Sequence, residues 1–162
     1  MNPQLETNLR SLRLNFIRQN FDALMQQALD NKLDKLDFLE LLIQAEADEK
    51  AQRAIDRRIK AARIPVQKRL EEFNFAHPQK IDPDRVRYLF RMDFLRQNKN
   101  VILCGNVGLG KTHIASALAL KACQEGFSAL FASAVQIVNE LDIARRQDRL
   151  VRQLKKYSKI DL

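Results

Sequence analysis

Gly105-Asn106-Val107-Gly108-Leu109-Gly110-Lys111-Thr112 is a complete G-x-x-x-x-G-K-[ST] stretch, the pattern of a loop that wraps phosphate groups. Its flanks suit that reading. Asn100-Val101-Ile102-Leu103-Cys104 is a short apolar run that reads as a buried strand, and residues 113–124 read as the helix that follows. The glycines let the backbone curl so that successive N–H groups face a phosphate, and a helix beginning near Gly110 adds the positive end of its dipole. In such a loop Lys111 reaches the β- and γ-phosphates of a nucleoside triphosphate and the Thr112 hydroxyl ligates Mg²⁺. At ordinary amino-acid usage the four fixed positions coincide by chance in roughly one chain of this length in a few hundred. Only four glycines are present; three fall inside the motif, and Gly126 is left to end the helix.

With 162 residues the chain is one domain, or part of one with an appendage, and 50 residues follow Thr112. That is short of the further parallel strands and crossovers a whole nucleotide-hydrolysing domain needs. The expected fold class is therefore α/β: an N-terminal α-helical domain followed by an incomplete P-loop domain with a Rossmann-like parallel sheet. On this reading the strand at 101–103 lacks neighbours, and apolar faces of that strand and its helix stay exposed.

A net charge of +8 and a pI near 9.8 favour an anionic partner such as nucleic acid, with a merely solvated basic surface as the alternative. Cys104 and Cys123 sit in apolar surroundings and read as reduced core thiols. His77 reads as a linker residue, since no second ligand type stands at metal spacing. Residues 1–10 lack an apolar signal core and no uncharged run approaches the length of a membrane span, so a soluble cytoplasmic protein without a membrane partner is expected.

Taken in order, residues 1–75 read as a helical domain, 76–97 as a linker with a helix, and 98–162 as the ATPase portion. Two amphipathic helices, meeting near 15–20, precede a long one over 35–63 capped by Asp34 and ended by Pro65. The long helix carries Leu36, Leu39, Ile43, Ala47, Ala51, Ala54, Ile55, Ile59 and Ala62 as its apolar stripe. Its second half is basic: residues 50–70 hold eight Lys and Arg against Asp56 alone. Arg53, Arg57 and Lys60 share one face; with Arg58 and Arg63 they form a candidate DNA-phosphate surface, or a solvated one.

Asp82, with Pro83 behind it, caps a helix reaching about Arg96. Residues 128–132 read as a second strand, and Ser133 as the cap of the next helix. A second basic run follows, with seven Lys and Arg over 145–159 against Asp148.

The pattern from Asn100 through Thr112 to His113-Ile114-Ala115 resembles the IstB family of transposition helper proteins, AAA+ ATPases related to the helicase loader DnaC. The resemblance extends to Lys60-Ala61-Ala62-Arg63-Ile64-Pro65, Glu72-Phe73-Asn74-Phe75 and Met92-Asp93-Phe94-Leu95. His113 directly after the Gly-Lys-Thr and the upstream Phe-x-Phe are its more specific parts. It implies ATP and Mg²⁺ as cofactors, residues 105–113 as the nucleotide site, and assembly of subunits on DNA. It also implies a transposase as partner, or a replicative helicase on the loader alternative. Family members continue with an apolar strand ending in Asp-Glu (Walker B), sensor residues and an arginine finger, so this chain is expected to be a truncated form that binds ATP without turning it over. Asp161 is not read as the Mg²⁺-supporting acid, and a non-enzymatic remnant of a transposition gene is a further alternative.

Overall fold

A computed structural model describes residues 2–76 and 81–162, so His77 lies outside the described residues. The elements are α1 (Pro3–Ser11), α2 (Asn15–Asp30), α3 (Lys35–Ala62), a single 3-10 turn (Leu70–Glu72), α4 (Pro83–Leu89), α5 (Asp93–Arg96), α6 (Lys111–Gln124), α7 (Ala134–Arg146) and α8 (Leu150–Tyr157). They fall into two compact units, Met1–Ala54 and Ile55–Leu162, and α3 supplies residues to both.

In the first unit Asn2 caps α1 by accepting from the Gln4 N–H at 2.8 Å, with Pro3 at the first helical position. The N-cap position of α2 is Leu14, which offers no side-chain acceptor. Glu46 of α3 does that work: its carboxylate, 3% exposed, accepts from the N–H groups of Phe16 at 2.8 Å and Ile17 at 3.0 Å. A negative charge at the positive end of a helix is favourable, and two charge-assisted hydrogen bonds offset its desolvation. This cap fixes which face of α3 turns inward. Phe38, Leu41, Leu42, Ala45 and Glu46 are the shielded positions, whereas Leu36, Leu39 and Ile43, from the expected stripe, are more than half exposed. That part of the stripe reading is corrected. Asp34 caps α3 as expected, accepting from Leu36 N and Asp37 N at 2.8 and 2.9 Å.

The second unit is built around α6. Ile114, Leu118 and Ala122 on one side pack with Phe73, Val86 and Met92, while Ala119 and Cys123 on another pack with Ala62 and Ala129. Small residues at 117, 119 and 122 let neighbouring backbone approach closely. The loop's helix is thus enclosed by segments on both sides of it in sequence, contrary to the expectation that its apolar face stays exposed. Asp82 caps α4 with Pro83 behind it, as expected. The single helix expected over 83–96 is broken at Met92, which takes φ 58° and buries its side chain completely; its thioether fills the core at the cost of helical continuity. Gly126, at φ 96°, ends α6 as read.

The expected α/β architecture is overturned: every regular element among the described residues is helical. A strand exists only through pairing, and residues 100–109 make no backbone–backbone hydrogen bond among the described residues. Ile102 is accordingly 82% exposed. Residues 128–131 bond instead to the end of α3 (Phe131 N to Ala62 O, 2.7 Å) and to 161–162 (Leu130 N to Leu162 O, 2.9 Å), contacts too few for a ladder. Cys104 is exposed, correcting its reading as a core thiol; Cys123 is buried, and burial pushes its thiol pKa up, with the Arg58 charge opposing. Among the described residues no helix is long and apolar enough to cross a membrane.

Candidate functional site

The loop's shape follows from its glycines. Gly105, Gly108 and Gly110 take φ of 150°, 84° and 78°, conformations that a side chain disfavours. Gly110, the N-cap of α6, is doubly constrained: a Cβ there would stand 2.9 Å from Phe73 Cζ and closer still to Cε2. Residues 105–108 are exposed, and α6 opens directly behind them, with the unpaired N–H groups of its first turn at the loop. Lys111 Nζ donates to the Asn106 carbonyl at 2.6 Å, which holds the ammonium across the loop. Thr112 is exposed in that first turn.

Free backbone donors, a helix N-terminus, one ammonium and one hydroxyl are the donor set that a triphosphate requires, so the residues fit ATP with Mg²⁺. Among the described residues no cluster of three His, Cys, Asp or Glu could hold a metal alone, and the Thr112 hydroxyl is a side-chain oxygen at the loop that could contribute a ligand to Mg²⁺. Beside the loop, a cleft of about 810 Å³ is lined by Asp82, Arg85, Leu89, Leu103, Asn106 and Lys111, among others.

His113 turns to the chain upstream. Its Nε2 lies 2.8 Å from the Arg69 carbonyl, to which it donates, and its ring meets Phe73 edge-on at 5.2 Å. Phe73 in turn meets Phe75 edge-on at 4.9 Å, and the Arg87 guanidinium sits over Phe75. The two sequence features that carried the resemblance, the His after the loop and the Phe-x-Phe, are therefore in contact. Neither the seat of Phe73 on Gly110 nor the Arg69 carbonyl has a sequence signal, since both depend on how a segment more than 35 residues upstream folds back.

The basic residues of α3 differ in their surroundings. Arg53 belongs to the first unit and pairs with Glu49 at 2.6 Å. Arg57 and Lys60 are exposed, and Arg58 is half-buried toward Cys123. Arg63 follows the helix in a left-handed conformation and reaches Glu140 of α7 at 3.4 Å. Glu140 also accepts from Tyr157 Oη at 2.7 Å, Gln153 at 3.0 Å and Gln136 at 3.3 Å. The Tyr157 hydrogen bond foremost holds the Glu140 carboxyl below its usual range, and the same bond raises the Tyr157 phenol. Sequence reasoning missed this hub, because a single glutamate on an amphipathic helix carries no mark of its partners. Asp161 is committed to Ser128, accepting from its N–H at 2.8 Å and its hydroxyl at 2.7 Å, bonds that lower its pKa.

The sequence pattern of the IstB-like ATP binding protein family matches residues 7–162. A protein of Pseudomonas aeruginosa, named as an ATP-binding protein of insertion sequence IS21, is 36% identical over 155 residues, covering 96% of this chain and 58% of its own. Proteins named likewise for insertion sequence IS5376 of Geobacillus stearothermophilus and IS232 of Bacillus thuringiensis subsp. berliner are 28% and 29% identical. Each alignment covers 98% of this chain, and 63% and 64% of the relative. The chain thus spans between 58% and 64% of the length of these three relatives.

Proposed function

Because this chain belongs to the IstB-like ATP-binding protein family, we propose that it binds ATP with Mg²⁺ at residues 105–113 and serves as an ATP-dependent helper in the transposition of an insertion sequence. Backbone amides of the loop and the N-terminus of α6 take the phosphates. Lys111 leaves the Asn106 carbonyl for the β- and γ-phosphate oxygens, and the Thr112 hydroxyl orients toward Mg²⁺. Mg²⁺, if bound, would be held by the Thr112 hydroxyl together with the phosphates and would neutralise part of their charge. His113 positions the first turn of α6 through the Arg69 carbonyl and Phe73. The adjoining cleft accommodates the nucleoside.

The partners proposed are DNA, held without sequence preference through basic surfaces such as Arg57 and Lys60, further copies of the chain assembled on that DNA, and a transposase. The observation that carries the nucleotide reading is the Lys111 ammonium held across a glycine loop at the N-terminus of a buried helix. Titration with a fluorescent ATP analogue tests it. Lys111→Ala is expected to weaken binding at least about tenfold, as loss of a charged phosphate contact does. Equal affinity of the variant and the parent would reject the assignment.

A further inference from the structure

The second basic run is not absorbed by the nucleotide site or by the α3 surface. Arg149, Arg152, Lys155, Lys156 and Lys159 line one groove of about 1270 Å³ between α7 and α8, with Arg63 at its wall. Residues 152, 155 and 156 stand at i, i+3 and i+4 of α8, so one face of that helix presents three of these charges, and Lys159 follows just past its end. All five are exposed and, among the described residues, none makes an ion pair.

Two acids in the groove stand against five cations, and the Glu140 charge is felt by Lys156 among them. Glu140 is held by four donors, Arg63, Gln136, Gln153 and Tyr157, and serves as the brace that joins α7 to α8. Asp148 lies at the left-handed turn between the helices. By contrast, Arg53 and Arg63 of the α3 set already have carboxylate partners.

We infer that the α7–α8 groove is a binding site for the phosphate backbone of nucleic acid, distinct from the exposed face of α3. This rests on the reading that the protein works on DNA, and it locates that contact. Several exposed cations lining one groove suit a polyanion whose counterions are released on binding. A protein partner is the weaker match: protein interfaces favour aromatic anchors and deplete lysine, and the groove's lining contains no aromatic ring. Without a stacking platform the site tolerates sequence. Ile143 and Val151, both exposed in the groove, offer apolar contact for sugar edges.

Fluorescence anisotropy of the full chain with a labelled 30-base-pair duplex, across a salt series, tests this. Arg152→Gln with Lys156→Gln is expected to weaken binding about tenfold and to flatten the slope of log K against log salt by about 2, one phosphate contact per cation lost. Affinity for the ATP analogue should be retained, which shows that the variant is folded; if it is lost, Lys155→Gln with Lys159→Gln takes the variant's place with the same expectation. Parental affinity and slope in the groove variant, with the parent binding DNA, would overturn the groove assignment alone. A parent that binds no duplex at all would overturn the DNA reading and the groove with it.

Discussion

At Gly110 two requirements coincide, a left-handed backbone and the Phe73 ring where a Cβ would stand. Gly110→Ala should lower the stability of the second unit by about 2 kcal/mol or more, the left-handed penalty for a side chain plus displacement of Phe73. Urea unfolding followed by circular dichroism measures it, and a loss below about 0.5 kcal/mol would contradict the contact. The Gly-Lys-Thr pattern names this glycine from sequence, but only the fold reveals the aromatic ring beside it. Glu140 gives a pH-dependent counterpart. Its folded-state pKa is held below the ordinary 4.5, foremost by the Tyr157 hydroxyl. Its contribution is therefore fully present above about 4.5 and is lost as pH falls through the lowered value. The stability difference between the parent and Glu140→Gln should shrink with acidification in that window; a difference that stays constant from pH 7 to pH 3 would contradict the hub.

Among the elements, α2 depends on a residue 30 positions away. Glu46→Ala should destabilise the first unit by about 2–4 kcal/mol, because two first-turn N–H groups lose a buried charged acceptor. Glu46→Gln, which keeps an acceptor without the charge, should cost less. Hydrogen exchange at Phe16 and Ile17 reports the effect directly, and unchanged protection in Glu46→Ala would count against the cap. Local caps were legible in the sequence: Asp34, Asp82 and Ser133 each stand two or three residues before the N–H they bind. The Glu46 cap was illegible, since long-range capping leaves no spacing rule. Without it, the apolar spacing of Leu36, Leu39 and Ile43 points to the wrong face of α3. Met92 misled for a related reason, because helical periodicity continues through it and only its backbone, at φ 58°, shows the left-handed break.

For the whole molecule, what sequence conveyed was the helix after the loop and the glycine-dependent turn before it, both encoded within some twenty neighbouring residues. That no sheet forms among the described residues was not legible, since apolar runs such as 100–104 announce an extended segment but say nothing of whether strands pair with it. Enclosure of α6 by Phe73, Val86 and Met92 was equally invisible, as it depends on how residues 70–95 pack onto a helix that comes after them. The central claim is that residues 105–113 form a nucleotide site anchored by Lys111. Hydrogen–deuterium exchange with and without Mg·ATP addresses it most directly. Slowed exchange concentrated at residues 105–114 is expected in the parent, with Lys111→Ala needing at least about tenfold more Mg·ATP for the same slowing; exchange at the loop unaffected by saturating Mg·ATP in the parent would contradict the site.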